Sequence, residues 1–328
     1  MLTRIFFQLK QKNIQVDATS LKKHSCQGLM SRVYVVDSNQ GNLIIHVIKP
    51  VQEWIRQKIW QKLLAIANLL SAFPDLPTAR FFLAGKIKSR YFLVQEKLPG
   101  RVAGRRLLNK SKVKDIWPRK NKDAYWRDLQ RIIAGVHKIK RRGYGWPIVK
   151  NSELVGQYSS WPLFFKREMP AWLKSVAQGN RRLGMSSQNI KTELLEVKKL
   201  ANQIIKKISS SESVLVHGDA VNPGNILIEK GKISGILDWE WALIGDPAWE
   251  FCDPGWWPFL NEKSLATYFQ ELNYNQSQVK DFLRRARDYR LLWILWGAHM
   301  HAGDKNIRVF RVLSRMLQEE VAYLKKWL

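Results

Sequence analysis

The chain has 328 residues, of which 45% are hydrophobic, and its 55 Lys or Arg against 27 Asp or Glu give a formal net charge of +28. This length allows one bilobal unit or two domains with substantial cores, and the composition excludes a largely disordered chain. Two cysteines are too few for a disulfide scaffold. The sequence shows no signal-peptide core and no apolar run of about 20 residues, so we expect a soluble, cytoplasmic protein.

The first hundred residues have the pattern of a small sheet with one helix. Short β-rich runs cover Val33–Asp37, Leu43–Ile48, Ala79–Leu83 and Tyr91–Leu98, and a helical stretch covers Val51–Ala72. The turn Cys26–Arg32, which contains Gly28 and Ser31, lies between the first strands. Its backbone N–H groups could cover phosphates, and an ordinary hairpin turn fits the single glycine about as well.

After Pro99 and Gly100 the sequence becomes mainly helical. Apolar residues recur at three- and four-residue spacing in residues 123–141, 162–177, 188–209, 262–271, 277–301 and 305–327. Three strands interrupt these helices, at Val214–Val216, Ile226–Ile228 and Ile233–Leu237, and the last two form a hairpin. The order of elements predicts an α+β fold with an N-terminal lobe, residues 1–98, and a larger C-terminal helical lobe, residues 99–328.

Residues 101–150 are strongly basic, with sixteen Lys or Arg and three Asp. Their alternation with apolar residues suits amphipathic helices. The charge would favour an anionic substrate, an anionic membrane surface or nucleic acid, and a solvated basic surface explains it equally well. No nucleic-acid-binding motif accompanies it. The charge argues against a strongly cationic substrate unless a local acidic pocket overrides the long-range field.

The segments Val216–Ile228 and Ile236–Glu240 contain the residues best suited to chemistry. Asp219 and Asn225 lie in one loop between apolar runs, and Asp238 follows another apolar run. Phosphoryl transfer from ATP needs a carboxylate to orient and deprotonate the attacking hydroxyl, and oxygen ligands for Mg²⁺. Asp219 fits the first role, and Asn225 and Asp238 fit the second, because Mg²⁺ prefers oxygen ligands.

These segments, together with Gly245–Glu250, resemble the catalytic and metal-binding segments of the aminoglycoside phosphotransferase and choline kinase superfamily, which is related to protein kinases. The resemblance spans roughly residues 20–260. It implies a protein-kinase-like bilobal fold with a small antiparallel N-terminal sheet, ATP as co-substrate, Mg²⁺, and a small-molecule hydroxyl as acceptor. It also implies that the backbone of Gln95, Glu96 and Lys97 holds the base.

The N-terminal lobe departs from the family pattern at two points. His46 stands where the family has a basic residue for the nucleotide phosphates. Lys49 is nearby, but it has the opposite parity if His46 points inward, since side chains alternate along a strand. Either His46 or Lys49 would contact the nucleotide phosphates. Glu53 is the acid available on the next helix as a partner for such a residue, and Gln57 stands where the family often has Glu.

The catalytic loop also departs from the pattern. Asp219 and Asn225 are six residues apart instead of five, which makes Asn222 an alternative ligand. These departures leave two alternatives to an active kinase: a catalytically weak nucleotide-binding protein, and a basic module for membrane or nucleic acid on the same fold. His217 is expected to fix the loop from beneath, and Asp246 and Glu250 are expected to cap or pair within the large lobe.

Overall fold

The computed structural model describes residues 1–24, 31–48, 53–109, 112–117, 122–151, 153–208, 212–303 and 307–326. Its chain divides into two compact units, each discontinuous in sequence. The first contains Met1–Arg101, Ile148–Leu154 and Ile226–Glu240, and the second contains Val102–Pro147, Val155–Asn225 and Trp241–Leu328. None of the helices in the described residues is long and apolar enough to cross a membrane.

The first unit is built on a five-stranded sheet in the order β1-β2-β3-β5-β4, with antiparallel pairs throughout. The strands are β1 (Val16–Lys23), β2 (Ser31–Ser38), β3 (Leu43–Ile48), β4 (Phe81–Ile87) and β5 (Arg90–Glu96), and the helices are α1 (Leu2–Lys10) and α2 (Glu53–Leu70). The predicted antiparallel sheet and its following helix are therefore confirmed. The sequence interpretation missed α1 and β1.

The side chains of β3 alternate between the two faces of the sheet. Leu43, Ile45 and Val47 are buried in a core that also contains Ile5 and Leu9 of α1. Because successive side chains of a strand point to opposite faces, Ile44 and His46 lie on the other face of the sheet. His46 is thus turned away from the α1 core.

The predicted hairpin is present and consists of β12 (Ile226–Glu229) and β13 (Lys232–Ile236). It is grouped with the first unit. The strands are antiparallel, and Ile226 pairs with Ile236 at their open end. The turn at the other end has positive φ at Lys230 and Gly231, which suits a tight two-residue hairpin turn.

The second unit is mainly helical. Its helices are α3 (Lys122–His137), α4 (Trp161–Arg182), α5 (Ser187–Lys207), α6 (Ala266–Glu271), α7 (Gln276–Asp288), α8 (Arg290–His301) and α9 (Ile307–Leu324). Side chains cap several of these helices: Ser160 begins α4, Ser186 begins α5, and Asn275 forms a capping box with Gln278 at α7. The single helix predicted for 277–301 is wrong, because α7 ends at Asp288 and α8 starts at Arg290.

Short strands accompany these helices. They are β6 (Arg101–Val102), β7 (Arg105–Asn109), β8 (Lys112–Ile116), β9 (Tyr144–Lys150), β10 (Glu153–Tyr158), β11 (Val214–Val216) and β14 (Leu243–Gly245). Four of them form a sheet in the order β10-β9-β14-β11. The end of β9 and the start of β10, within Ile148–Leu154, are grouped with the first unit.

The amphipathic helices expected for residues 101–150 are confirmed only at α3. β7 (Arg105–Asn109) and β8 (Lys112–Ile116) instead pair as an antiparallel hairpin, whose register places Arg106 opposite Asp115. Arg106 and Asp115 form a salt bridge across the strands, with Arg106 Nε 2.8 Å from Asp115 Oδ1. The prediction of helices was wrong because it considered only the spacing of apolar residues, whereas a cross-strand ion pair also stabilises the observed register.

Candidate active site

The loop with Asp219 follows the fully buried strand β11 and leads into a short 3-10 helix, Pro223–Asn225. Gly218 has a φ of +84°, and a Cβ at this position would lie 2.8 Å from the carbonyl oxygen of Trp241. Glycine is therefore needed here both for the left-handed backbone and for the close approach. The chain can then turn sharply between the buried strand and the polar loop.

Two asparagines hold the carboxylate of Asp219. Asn225 Nδ2 donates to Asp219 Oδ2 at 2.9 Å and to the Asp219 carbonyl oxygen at 3.1 Å, and Asn222 Nδ2 donates to Oδ2 at 3.1 Å. Asn222 Oδ1 in turn accepts from the Gly224 N–H at 3.0 Å. The longer loop thus brings both asparagines to Asp219. Asn225 contacts Asp219 through its amide nitrogen, which leaves its Oδ1 as the atom suited to a metal.

The buried carboxylate of Glu250 holds the backbone of this loop through hydrogen bonds. It is 1% exposed, and its Oε2 accepts from the N–H groups of His217 and Gly218 at 2.8 and 2.9 Å. Oε1 accepts from the Ala220 N–H at 3.2 Å. Burial raises the pKa of Glu250 to about 7, although the three backbone hydrogen bonds favour its charged form. His217 is fully buried, and its Nδ1 accepts from the Asp219 N–H at 3.2 Å.

Asp246 has a structural role in the second unit. Its Oδ1 accepts from the Ala248 N–H at 2.9 Å and so caps the 3-10 helix Pro247–Cys252. Its Oδ2 accepts from Arg285 Nε at 2.8 Å and from the Tyr289 hydroxyl at 2.7 Å. The expectation that Asp246 and Glu250 cap or pair within the large lobe agrees with these contacts.

The sequence interpretation missed Arg106, which contacts Asp219 directly. Arg106 Nη1 donates to Asp219 Oδ1 at 3.0 Å. The same guanidinium makes two hydrogen bonds to Asp115, at 2.8 and 2.9 Å, and two to Asp253, at 3.0 and 2.8 Å. Bidentate contacts of this kind are among the strongest charge-assisted hydrogen bonds in proteins. Arg106 of the β7–β8 hairpin therefore holds Asp219 Oδ1 in place, and the two asparagines hold Oδ2.

This cluster is acidic although the chain as a whole is strongly basic. Three carboxylates surround one guanidinium, so the group carries a formal charge of −2 when all are ionised. Burial by itself would lower the pKa of Arg106, but the charges of Asp253 and Asp219 and the contacts to Asp115 raise it well above its ordinary value. Burial raises the pKa of Asp253 to about 6. If the sequence of residues 105–116 had been interpreted as two paired strands, Arg106 and Asp115 would have been predicted as cross-strand neighbours.

In the first unit, Asp238 follows β13 and has a solvent-exposed face. Its φ is +64°, a conformation that costs about 1–3 kcal/mol for a residue other than glycine and that clusters at functional sites. Lys62 of α2 is only 7% exposed, and its Nζ donates to the Glu240 carbonyl oxygen at 2.5 Å. Burial lowers the pKa of Lys62 to about 7, against the opposing charges of Glu240 and Asp238. The sequence interpretation missed Lys62.

The predicted phosphate-binding residues are only partly described. Ser31 Oγ lies 3.3 Å from His46 Nδ1, so these two are brought together. His46 Nε2 is buried and has no hydrogen-bond partner among the described residues. Burial lowers the pKa of His46 to about 4, with a further contribution from the charge of His24, so the imidazole is neutral at pH 7. Gly28, Lys49 and the side chains of Glu53 and Gln57 lie outside the described residues.

The stretch predicted to hold the base continues β5. The N–H of Glu96 donates to the Arg80 carbonyl oxygen, and the N–H of Lys97 donates to the Asn42 carbonyl oxygen, each at 2.8 Å. Gln95 lies in the ladder between Ile44 and Phe81. Both N–H groups are therefore already used in backbone hydrogen bonds. A nucleotide base could still bind here through the carbonyl oxygens, because each carbonyl oxygen has two lone pairs.

The residues predicted to hold Mg²⁺ suit that ion in chemistry. Within the described part of the chain, no group of three or more His, Cys, Asp or Glu is arranged to hold a metal. Asn225 directly precedes Ile226, and Asp238 comes two residues after Ile236, so in sequence they flank the pair at the open end of the hairpin. An amide oxygen and a carboxylate suit Mg²⁺, which keeps several waters and takes further oxygens from substrate phosphates.

The chain is similar to a known family and to solved structures. Residues 27–284 match the APH family, described as the phosphotransferase enzyme family. No curated protein matched the chain significantly. Among solved structures, aminoglycoside phosphotransferase APH(4)-Ia has a TM-score of 0.63 at 16% identity and covers 98% of this chain and 99% of its own. Its thermostable mutant in complex with AMP-PNP and hygromycin B scores 0.63 at 17% identity, with 96% and 97% covered.

A third solved structure is the macrolide 2'-phosphotransferase MphH from Brachybacterium faecium, with a TM-score of 0.55 at 16% identity, covering 94% of this chain and 96% of its own. These likenesses establish the kinase-like α+β fold that the sequence predicted. The match to the family covers most of the chain. The chain therefore belongs to the phosphotransferase enzyme family.

Proposed function

We propose that this protein transfers the γ-phosphoryl group of ATP to a hydroxyl group of a small molecule. The arrangement of Asp219 carries the proposal. Its Oδ2 accepts hydrogen bonds from Asn222 and Asn225, and three backbone N–H groups of its loop are fixed by the buried Glu250. A carboxylate held this rigidly can orient an attacking hydroxyl, and positioning is the main contribution of a protein to phosphoryl transfer.

Each proposed residue has one role. Asp219 orients the acceptor hydroxyl and takes its proton, while Asn225 Oδ1 and the carboxylate of Asp238 are the proposed ligands of Mg²⁺. When bound, Mg²⁺ neutralises charge on the phosphate oxygens and aligns them. Ser31 and the carbonyl oxygens of Gln95–Lys97 are the proposed contacts to the nucleotide.

The acceptor is proposed to be a small hydroxylated molecule. The solved relatives include complexes with hygromycin B and with gentamicin, which supports an acceptor of that size. The chain's net charge of +28 favours an anionic acceptor, whereas the carboxylates around Arg106 make the surroundings of Asp219 locally acidic. The screen should therefore include acceptors of both charge signs.

The test compares wild type with Asp219→Ala for ATP turnover in the presence of Mg²⁺ and a panel of hydroxylated acceptors. We expect turnover by the variant to fall by at least about a hundredfold while the protein stays folded at the assay temperature, because the lost contribution is transition-state positioning. A variant with near-normal turnover would contradict the role of Asp219. Chelation of Mg²⁺ by EDTA should abolish wild-type turnover.

One observation supports a second candidate, a protein that binds nucleotide without turning it over. His46 has a buried Nε2 and a lowered pKa of about 4, so it is neutral at the strand position where the family has a basic residue. Magnesium-dependent ATP binding by wild type, with no turnover on any acceptor or water, would favour this candidate.

A further inference from the structure

We propose that Arg106 is a positioning residue of the phosphoryl transfer, which acts by holding the carboxylate of Asp219 in the orientation that the acceptor hydroxyl requires. The inference rests on the proposed function, because it concerns the residue that orients the hydroxyl in that reaction. It gives the β7–β8 hairpin, which carries Arg106, a part in turnover as well as in stability.

The hydrogen bonds of Arg106 show that it acts through Asp219 rather than by binding a substrate. Nε donates to Asp115, Nη2 donates to Asp115 and Asp253, and Nη1 donates to Asp253 and Asp219, at 2.8 to 3.0 Å. A guanidinium has five N–H donors. Since carboxylates of the described residues occupy all five, Arg106 has none to offer to an anionic group of a substrate.

Two buried carboxylates fix the position of the guanidinium. The side chains of Asp115 and Asp253 are 6% and 1% exposed, and each contacts two nitrogens of Arg106. Asp253 Oδ1 also accepts from the Gly255 N–H at 2.7 Å. Planar bidentate pairs fix direction as well as distance. The nitrogen that contacts Asp219 is therefore held by two further carboxylates.

The backbone of the loop after Asp253 also packs against this ion pair. A Cβ at Gly255 would clash with Asp115 Oδ2 and would lie 3.0 Å from Arg106 Nη2. Interiors packed this closely transmit small displacements. A shift of the guanidinium is thus opposed by the Gly255 backbone on one side and by the two carboxylates on the other.

The contact of Arg106 completes the restraint on the Asp219 carboxylate. Asn222 and Asn225 donate to Oδ2, and Arg106 donates to Oδ1. The terminal torsion of an aspartate has broad energy wells, so contacts at a single oxygen leave the carboxylate plane poorly defined. Contacts at both oxygens define that plane. Because a misplacement of about 1 Å can cost about a hundredfold in rate, the loss of Arg106 should lower kcat.

The experiment measures kcat and the KM for ATP in four proteins. The reaction contains Mg²⁺ and the hydroxylated acceptor that wild type phosphorylates fastest, or water where it phosphorylates none. The proteins are wild type, Arg106→Met, Arg106→Lys and, as a control for lost stability, Glu320→Met. Glu320 of α9 is 5% exposed and pairs with Arg290 of α8 at 2.9 Å, so its loss also breaks a buried ion pair of the second unit.

We expect the kcat of Arg106→Met to fall about 10- to 100-fold, with the KM for ATP within about threefold of wild type. Arg106→Lys keeps the charge but loses the planar fork, so its kcat should fall at least about tenfold. Glu320→Met should unfold more easily and keep kcat within about threefold of wild type. All assays are run at a temperature at which circular dichroism shows the four proteins to be folded.

Three results would overturn the inference. They are a kcat of Arg106→Met within about threefold of wild type, an equal fall of kcat in Glu320→Met, and a normal kcat in Arg106→Lys. The second would assign the loss to stability, and the third would assign it to charge instead of geometry. If Arg106→Met does not fold, Arg106→Lys decides by the same criterion. Wild type without turnover on any acceptor or on water would refute the proposed function itself, and the inference with it.

Discussion

Replacing Arg106 by methionine tests whether the carboxylates around Asp219 depend on one guanidinium. Arg106 contacts Asp115, Asp219 and Asp253 at distances of 2.8 to 3.0 Å. The side chains of Asp115 and Asp253 are 6% and 1% exposed, so water cannot replace the lost partner. Breaking a buried ion pair by removal of one partner costs about 3–5 kcal/mol. We expect the free energy of unfolding of Arg106→Met to fall by that amount.

The assay is urea unfolding followed by tryptophan fluorescence, with Arg284→Met as a matched control. Arg284 also forms two ion pairs, at 2.7 and 2.9 Å, but its side chain is 46% exposed. Surface pairs contribute about 0–1 kcal/mol, so this control should stay close to wild type. The comparison therefore isolates burial as the cause of the difference.

A double-mutant cycle identifies the partner that matters. In an Asp253→Asn background, Arg106→Met should cost less than it does in wild type, and the coupling free energy should be about 0.5–3 kcal/mol. The reasoning is refuted if Arg106→Met loses less than about 1 kcal/mol, or no more than Arg284→Met, because the buried carboxylates would then not need the guanidinium.

Two further predictions concern buried hydrogen bonds. Glu250→Gln turns an amide NH₂ toward backbone N–H donors of the catalytic loop and should cost about 1–3 kcal/mol for each donor left unpaired. We expect faster amide exchange at residues 217–220 and lower turnover in this variant. The control Glu229→Gln, at an exposed position, should change neither. Tyr268→Phe removes the hydroxyl that lies 2.7 Å from His137 Nδ1, and should lower the free energy of unfolding by about 1–3 kcal/mol. Its turnover should stay normal, and a large loss would contradict a purely structural role for this pair.

The sequence alone identified the elements whose signal is local. Alternating apolar residues predicted β3 and β5, and the turn at Lys230 and Gly231 predicted the β12–β13 hairpin, which the register of Ile226 with Ile236 confirms. The loop with Asp219 and Asn225 was recognised because both residues lie within one short segment, and their side chains do meet at 2.9 Å. Neighbours in sequence can be judged from spacing alone.

Tertiary structure decided the partners that are distant in sequence. Arg106 reaches Asp219 across 113 residues, and Lys62 reaches Glu240 across 178. No local pattern specifies such pairs, and the apolar spacing around Arg106 even favoured a helix over the observed strand. Burial adds a second reason, because it lowers the pKa values of Lys62 and His46, which sequence spacing cannot indicate. The sequence thus determined which residues could take part in phosphoryl transfer, and only the fold determined which charges surround them.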